Sequence, residues 1–208
     1  MSGSVAVVSY AKTYLREVAE IAGQISVDEM DRMAAGIAAI RERGGRLFIL
    51  GVGGGAGHAS HAVNDFRKIC HLESYAPSDN VSELTARTND EGWETTYRAW
   101  LETSRMNADD GVLVFSVGGG SREHGISMNL VLAMELAVEV GAPIFAVVGK
   151  PDGTAAAEAE VAIVVSCDAE RRTPHVESFQ AVLWHLLVSH PALEAQQGKW
   201  ESLESAAG

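Results

Sequence analysis

The chain of 208 residues has little of what several protein classes require. It contains two cysteines, Cys70 and Cys167, which stand far apart and outside any CxxC spacing, so neither a disulfide framework nor a thiolate metal site is expected. No apolar run approaches the roughly 18 residues of a membrane span. The first residues lack the basic and then apolar pattern of a secretion signal. These absences predict a soluble, cytoplasmic protein.

Basic residues are also scarce. The 16 Lys and Arg stand against 28 Asp and Glu, which gives a formal net charge of −12 and argues against nucleic acid as a partner. The length and the apolar fraction of 47% are those of one globular domain with a buried core. We expect a single domain over 1–208, with N-terminal helices in 1–44, an α/β core in 45–190 and a tail in 191–208.

Short apolar runs rich in β-branched residues predict the strands. Four of them do not alternate polar with apolar residues, as expected for strands buried on both faces of a parallel sheet. These runs are RLFIL (46–50), VLVFS (112–116), PIFAVVG (143–149) and VAIVVS (161–166). A weaker strand is expected near LESYA (72–76).

Apolar residues at helical spacing predict the helices. Two of these stretches, 5–22 and 28–43, precede the first strand; a third, 124–143, follows the second of the four runs, and a fourth covers 173–190. Gly141 gives the third a C-terminal stop signal. The order of elements predicts an α/β fold, with a doubly wound, mainly parallel sheet of about five strands and two extra N-terminal helices.

Two glycine-rich loops follow predicted strands, and ligands bind at the carboxyl ends of such strands in open parallel sheets. The first, GVGGGAGHASHAVND (51–65), formally satisfies the dinucleotide pattern GxGxxA. Glu73, at the start of a weak strand, is a poor match for the acidic residue that this pattern expects. The second loop, SVGGGS (116–121), leads towards a helix, so its N–H groups can converge on an anion. Tight turns that need positive φ are the alternative for both loops.

Four residues have side chains suited to a metal. His61 and Asp65 are four residues apart on the helix expected after the first loop, so they share one face. Such a pair is more often solvated than bound to a metal. Glu177 and His185 are eight residues apart on the last helix, about 12 Å along its axis. The spacing alone does not join these residues to one ion.

The motifs occur in an order that resembles the sugar isomerase (SIS) domain family, and within it the sedoheptulose 7-phosphate isomerases, or phosphoheptose isomerases. GVGGG (51–55), HAVND (61–65), SVGGGS (116–121) and ESFQAVLWH (177–185) are similar to the family's GNGGS loop, HxxxE helix, STSGNS loop and final Gln-to-His helix. TARTNDEGW (85–93) is similar to the family's SNDFGY stretch. The resemblance spans nearly the whole chain.

The resemblance implies one zinc ion per subunit, held by His61, Asp65, Glu177 and His185, with other divalent metals as substitutes. It implies proton-transfer roles for Asp65 and His185, and a homotetramer with active sites at subunit interfaces. Either Asp65 or Glu177 is the expected base, with His185 as its partner. Asp65 and Glu177 replace the family's glutamate and glutamine. The residues expected to bind the sugar phosphate are Gly53, Gly54, Gly55, Ser116, Gly118, Gly119, Gly120, Ser121 and Asp90.

The implied activity is aldose–ketose isomerisation of sedoheptulose 7-phosphate to D-glycero-D-manno-heptose 7-phosphate through an enediol, as in heptose biosynthesis. The chain departs from the family pattern at Val52, Gly55 and Gly118, and at Ile69, where the family has an arginine. Two alternatives are open. One is an isomerase for another ketose phosphate, such as an octulose 8-phosphate. The other is a non-enzymatic adaptor that binds a replication initiator, as some SIS-domain relatives do. An adaptor has no need of four metal-competent residues, so metal titration separates these classes.

Overall fold

The sheet of this protein, in a computed structural model that describes residues 9–196, has five strands, each parallel to its neighbours. The strands are β1 (Leu47–Gly51), β2 (Ser74–Tyr75), β3 (Gly111–Ser116), β4 (Ile144–Val148) and β5 (Val161–Val164). They lie in the order β2-β1-β3-β4-β5. The predicted α/β class is confirmed, and the weak strand near 72–76 is reduced to a pair of residues.

Helices precede, connect and follow the strands. They are α1 (Tyr10–Ala22), α2 (Val27–Glu42), α3 (Gly54–Lys68), α4 (Val81–Asp90), α5 (Thr96–Thr103), α6 (Met128–Val140), α7 (Thr154–Glu158) and α8 (Arg172–Val188), with a 3-10 turn at Ala169–Arg171. Three of them, α4, α5 and α7, lack the long apolar period that predicts α1, α2, α6 and α8. In particular, α4 buries none of its residues and α7 is five residues long.

Alternate residues of the strands face two separate cores. Leu113 and Phe115 of β3 pack in the core that includes α2, α3 and α8. Val112 and Val114 of the same strand pack in the core that includes α5 and α6. Because both faces are covered, β1 and β4 bury all of their residues and read as continuous apolar runs. This two-sided cover is the doubly wound arrangement predicted from the sequence.

The strand order reverses between β1 and β3, which are adjacent in the sheet although β2 lies between them in the chain. Ligands of open α/β sheets bind in the crevice at such a switch point, outside the carboxyl ends of the strands. Both glycine loops begin there, because one follows β1 and the other follows β3. The topology therefore brings the two loops side by side.

The start of α6 differs from the prediction of a helix over 124–143. The helix begins at Met128, and the preceding residues form a short excursion closed by reciprocal N–H to O contacts of 2.9 Å between Ser121 and Ile126. Gly125, with φ 62°, makes the turn of this excursion. The predicted start was wrong because the apolar Ile126 belongs to the excursion and is 53% exposed.

The last described residues of the chain pack against the end of α3. Residues 5–8 of the first predicted helix and residues 197–208 of the predicted tail lie outside the described residues. Before that point the tail packs on the end of α3, where Ala195 and Gln196 donate to the carbonyl of Ile69 at 3.0 and 3.2 Å. Among residues 9–196, no helix has the length and apolar character needed to cross a bilayer.

An ionic contact joins α1 to the start of α8. The Glu17 carboxylate accepts hydrogen bonds from Arg171 at 2.7 and 2.8 Å and lies 2.9 Å from Nε2 of His175. Tyr14 stacks on the His175 ring, with 4.4 Å between the ring centroids. The hydrogen bonds from Arg171 and then from His175 lower the pKa of Glu17 to about 2. The carboxylate is therefore more strongly acidic in the folded chain than in the unfolded one.

Acidification should weaken this contact. Because the folded pKa of Glu17 lies below its unfolded value of about 4.3, its contribution to stability is present above that value and is lost as the pH falls towards 2. Glu17→Gln should lower the free energy of unfolding at pH 6 and flatten its decline between about pH 4 and 2. Urea melts across this range measure both effects, with the exposed Glu20→Gln as control. Equal pH dependence of Glu17→Gln and wild type would show that the contact is not formed in solution.

Candidate active site

Glycines allow the first loop to turn tightly between β1 and α3. Gly53 has φ 59° and ψ −122°, a conformation that favours glycine. A Cβ on Gly51 would lie 2.2 Å from the carbonyl of Gly55, and a Cβ on Gly55 would lie 2.5 Å from the carbonyl oxygen of Phe115. The absence of side chains at these glycines thus allows the first turn of α3 to pack directly against the ends of β1 and β3. The same close approach places the start of α3 at the crevice between the loops.

Helices α3 and α8 bring together three of the four expected metal ligands. One ligand atom each of His61, Asp65 and His185 lies within 4.8 Å of the other two. Oδ2 of Asp65 is 3.6 Å from Nε2 of His61 and 3.6 Å from Nε2 of His185. These distances exceed those of hydrogen bonds. The two imidazole nitrogens and the carboxylate oxygen therefore lie close together without hydrogen bonds to one another.

Neighbouring groups fix the orientation of the ligand side chains. Nε1 of Trp184 donates to Oδ2 of Asp65 at 3.1 Å, and the amide of Asn64 donates to Oδ1 at 3.0 Å. Nδ1 of His185 lies 2.7 Å from the carbonyl oxygen of Ala181. Because a carbonyl only accepts, Nδ1 carries a proton, and Nε2 is the ring nitrogen that faces Asp65. This is the arrangement that supports histidine ligands in metal sites.

The three side chains fit a divalent metal. Two imidazoles and one carboxylate match the three-ligand sets of catalytic zinc sites, which keep a fourth position open, and nitrogen and oxygen donors also suit other divalent metals. Asp65 is 7% exposed, and burial of a carboxylate is costly unless an opposite charge pairs with it, which a bound cation would supply. In the chemistry of its donors, the described site can hold a metal.

Glu177 lies apart from this cluster. Its carboxylate lies over the start of α3, since a Cβ on Gly54 would come within 2.4 to 2.6 Å of the carboxylate atoms. The positive end of a helix dipole stabilises a negative charge at this position. Of the two acidic residues expected as metal ligands, Asp65 is therefore in the cluster with His61 and His185, and Glu177 is beside the first glycine loop. Gly53 and Gly54 are exposed in that loop.

A cavity of about 180 Å³ separates the two glycine loops. Its walls come from both loops, the end of β3 and the first half of α8: Val52, Gly55, Phe115, Ser116, Val117, Gly118, Ser127, Glu177 and Gln180. None of these residues is basic. An anion bound there would rely on hydroxyl, amide and backbone N–H groups. Four of the expected substrate or proton-transfer residues line this cavity: Gly55, Ser116, Gly118 and Glu177.

A second, larger cavity of about 550 Å³ lies on the other side of the excursion that precedes α6. Ser121 and Arg122 line it together with five acidic side chains: Glu123, Glu135, Glu139, Asp152 and Glu158. That excess of negative charge disfavours a phosphate. Of the four expected metal ligands none is part of its walls, whereas Glu177 alone is part of the walls of the smaller cavity. The smaller cavity is therefore the better candidate, although its volume is less.

The remaining expected residues of the second loop, Gly119, Gly120 and Ser121, do not line the smaller cavity. Ser121 faces the larger cavity, whereas Gly119 and Gly120 direct their carbonyls to the start of α7, where they accept from the N–H groups of Ala155 and Thr154 at 2.9 and 3.0 Å. Their φ values of 75° and 77° explain the need for glycine. The substrate-binding roles expected for these three residues stay predictions.

Asp90 is not among the residues that line the two cavities. It is exposed at the end of α4 and accepts a hydrogen bond from the amide of Asn89 at 2.7 Å. Arg67, near the position where the family pattern has an arginine, donates to the carbonyl of Ser74 at 3.1 Å and lies over the Tyr75 ring. Within the described chain, neither side chain lines either of the two cavities.

Three residues of the site have no motif that singles them out: Ser127, Gln180 and Trp184. Ser127 precedes α6 and makes no side-chain capping bond. The sequence signal for this residue is a serine directly before an apolar helical run, which is typical of the start of a helix. Trp184 stands in the apolar run VLWHLLV and reads as a core residue. Only the packing of α8 on α3 shows that its indole N–H contacts Asp65.

Comparison with known proteins shows similarity over most of the chain, although no protein-family model matches it. The chain is 32% identical over 195 residues to the lincomycin biosynthesis protein LmbN of Streptomyces lincolnensis, a match that covers 88% of this chain and 69% of that protein. It is 30% identical over 169 residues to a phosphoheptose isomerase of Nitratidesulfovibrio vulgaris, with 79% and 76% covered. The fold is similar to that of the phosphoheptose isomerase from Neisseria gonorrhoeae, with a TM-score of 0.74 and 22% identity over 86% of this chain and 95% of that one.

Proposed function

Because this chain belongs to the family of SIS-type sugar isomerases that includes the phosphoheptose isomerases, and is a sugar-phosphate isomerase, we propose sedoheptulose 7-phosphate as its substrate. The product is D-glycero-D-manno-heptose 7-phosphate, and the reaction requires a divalent metal, which we propose is zinc. The observation that carries this proposal is the gathering of His61, Asp65 and His185 on the two helices that flank the crevice between the loops.

The metal would be held by His61, Asp65 and His185. When bound, a divalent ion supplies Lewis-acid polarisation of the carbonyl and hydroxyl oxygens of the sugar. The supporting residues have a separate task, which is to keep the ligand atoms in place before the metal arrives. Trp184 holds the carboxylate of Asp65, and the carbonyl of Ala181 holds the ring of His185.

Isomerisation also requires a base, because a proton must move between C1 and C2 of the sugar. We assign this role to Glu177. Its carboxylate lines the cavity where the sugar would lie, whereas both oxygens of Asp65 already accept hydrogen bonds and one of them faces the two imidazoles. The resemblance implies proton transfer at Asp65 and His185 as well. The proton-transfer role that the resemblance implies for His185 stays a prediction, because Nδ1 of its ring is held by the carbonyl of Ala181 and Nε2 is proposed to bind the metal.

The phosphate is proposed to bind at the start of α6, between Ser116 and Ser127. Oγ of Ser116 accepts from the N–H of Gly119 at 3.0 Å, which leaves its own hydroxyl hydrogen free to donate. Ser127 makes no capping bond, so its hydroxyl is available too. The first N–H groups of a helix have no partner within that helix and carry a partial positive charge. Neutral donors and the helix dipole would thus replace the basic residues that the cavity lacks.

A second candidate substrate is a ketose phosphate of natural-product assembly, such as an octulose 8-phosphate. The likeness to the lincomycin biosynthesis protein favours it. Val52, Gly55 and Gly118 line the cavity and depart from the family pattern, so they can alter which sugar fits. A non-enzymatic adaptor is less well supported, because it would not need the gathered metal ligands.

We also propose a homotetramer, as the resemblance implies. Apolar side chains on the outer faces of α1 and α8 support it, because large exposed apolar residues mark interaction surfaces. Leu15 is 66% exposed on α1, and Val182 and Leu186 are 55% and 41% exposed on α8.

The test of function is a comparison of ketose phosphates. The zinc-loaded full chain is incubated separately with sedoheptulose 7-phosphate, octulose 8-phosphate and fructose 6-phosphate, and the aldose product is quantified by NMR. The proposal expects the highest kcat/KM for sedoheptulose 7-phosphate. A preference for octulose 8-phosphate would favour the second candidate. No conversion of any sugar, with zinc verified as bound, would contradict the isomerase function and favour the non-enzymatic adaptor.

Trp184→Phe should weaken metal binding by roughly tenfold to a hundredfold, the usual effect of losing a hydrogen bond that orients a ligand. The phenyl ring keeps most of the packing near Phe115, whereas the donor to Asp65 is removed. Zinc affinity is measured by competition with a chromophoric chelator. Trp100→Phe is the control, because Trp100 packs on Phe48 in the other core. Equal zinc affinity of the Trp184 variant and wild type would contradict the supporting role.

A further inference from the structure

Gln180 is a buried amide without a partner in the described protein. Its exposure is 0%, and neither Oε1 nor Nε2 has a hydrogen-bond partner among residues 9–196. Buried polar side chains are nearly always paired, because leaving one unpaired forfeits its hydration without return. An exception in a native sequence therefore calls for a physical reason. A ligand that completes the hydrogen bonds is one such reason.

The position of Gln180 supports a ligand. The residue lies in the wall of the small cavity between the two glycine loops. It follows Glu177 by three residues on α8, so both side chains share one face of the helix. Ser116 and Ser127, the proposed phosphate contacts, line the same cavity. Whatever binds there meets an amide that has no competing contact within the described chain.

The chemistry of the amide indicates the type of group it binds. Glutamine offers two N–H donors and one carbonyl acceptor. A phosphate dianion accepts hydrogen bonds but cannot satisfy Oε1, whereas a sugar hydroxyl can donate to Oε1 and accept from Nε2. We propose that Gln180 binds hydroxyl groups of the open-chain sugar and so helps to determine which sugar phosphate is accepted. This inference rests on the proposed function, because it requires a sugar phosphate in this cavity.

The family pattern does not assign this role to Gln180. The glutamine of the family's final motif falls at Glu177 in this chain, and the amide at 180 is one helical turn further on. Glu177 and Gln180 therefore divide two tasks along one face of α8. The carboxylate accepts the proton, and the amide holds the polyol that must stay in place while the proton moves.

The test is Gln180→Met, which keeps the length and nearly the volume of the side chain and removes its donors and its acceptor. We expect the Tm of the protein without substrate to stay equal or to rise, because an unpaired buried amide is replaced by an apolar group. We expect KM for sedoheptulose 7-phosphate to rise roughly tenfold to a hundredfold, with a smaller change in kcat, because the hydroxyl contact is present both before and during the reaction.

Leu183→Met on the same helix is the matched control. Leu183 is buried in the core rather than in the cavity wall, and a volume-conserving change there should leave KM within about twofold of wild type. An unchanged KM in Gln180→Met would overturn the inference. A fall in Tm accompanied by a loss of kcat at constant KM would also overturn it, because that pattern marks a purely structural role.

Failure of the proposed function is distinguishable from failure of this inference. If the wild-type protein converts none of the ketose phosphates, the function fails, and Gln180 is then tested by binding. A rise in Tm with sedoheptulose 7-phosphate that is present in wild type and absent in Gln180→Met supports the hydroxyl contact. No rise in wild type, or an equal rise in both proteins, overturns it.

Discussion

We expect His61→Ala and His185→Ala each to abolish turnover and to leave the fold intact. Each substitution removes one of the three gathered ligand atoms, and the loss of a metal's charge stabilisation, several kcal/mol, corresponds to a fall in kcat of at least about a thousandfold. The effect on stability is small because the two side chains are 57% and 43% exposed. Steady-state kinetics gives the first result and thermal melts give the second.

A histidine outside the cluster separates metal loss from general damage. His190 pairs with the exposed Asp31 at 3.2 Å, so His190→Ala should retain wild-type kcat and zinc content. Zinc bound per subunit should fall in both cluster variants and not in the control. Near-normal turnover in either cluster variant would remove the metal mechanism, whatever the outcome for the other.

We expect Glu177→Gln to lower kcat by roughly a hundredfold to ten-thousandfold, the range for loss of a general base, and to leave zinc affinity close to that of wild type. The physical reason is the separation of the two carboxylates. Glu177 lies over Gly54 and lines the cavity, whereas Asp65 is one of the gathered ligand atoms. Asp65→Asn should therefore lose turnover together with zinc affinity.

Measuring kcat and zinc affinity in parallel for the two variants decides between the carboxylates. The expected pattern is loss of activity in both and loss of zinc affinity only in Asp65→Asn. If Glu177→Gln loses zinc as severely as Asp65→Asn, Glu177 is a ligand rather than the base. Full activity in Glu177→Gln would return the proton-transfer role to Asp65, as the resemblance implies.

The sheet could be predicted from the sequence because its signal is local. Strand β1, for example, is buried on both faces, so its residues form a continuous apolar run in the sequence. The start of α6 could not, because Ile126 continues the apolar period of the helix but pairs with Ser121 in the excursion. Local apolar spacing does not reveal a backbone that turns at Gly125 before the helix begins.

The site was predictable where its parts share one helix. His61 and Asp65 are placed together by helical spacing alone. Their contact with His185 depends on the packing of α3 against α8, which the spacing does not show and which only the resemblance implied. Gln180 and Trp184 lie in the same apolar run as core residues. What distinguishes them is an unpaired amide and an indole N–H contact, and both are visible only in the folded chain.

The central claim is a metal-dependent aldose–ketose isomerisation at the cluster of α3 and α8. NMR of the zinc-loaded full chain with sedoheptulose 7-phosphate in deuterated water, beside a chelated sample, tests it most directly. We expect aldoheptose 7-phosphate that carries deuterium at C2 in the zinc-loaded sample and none in the chelated one. Equal conversion in both samples, or no conversion with zinc verified as bound, would contradict it.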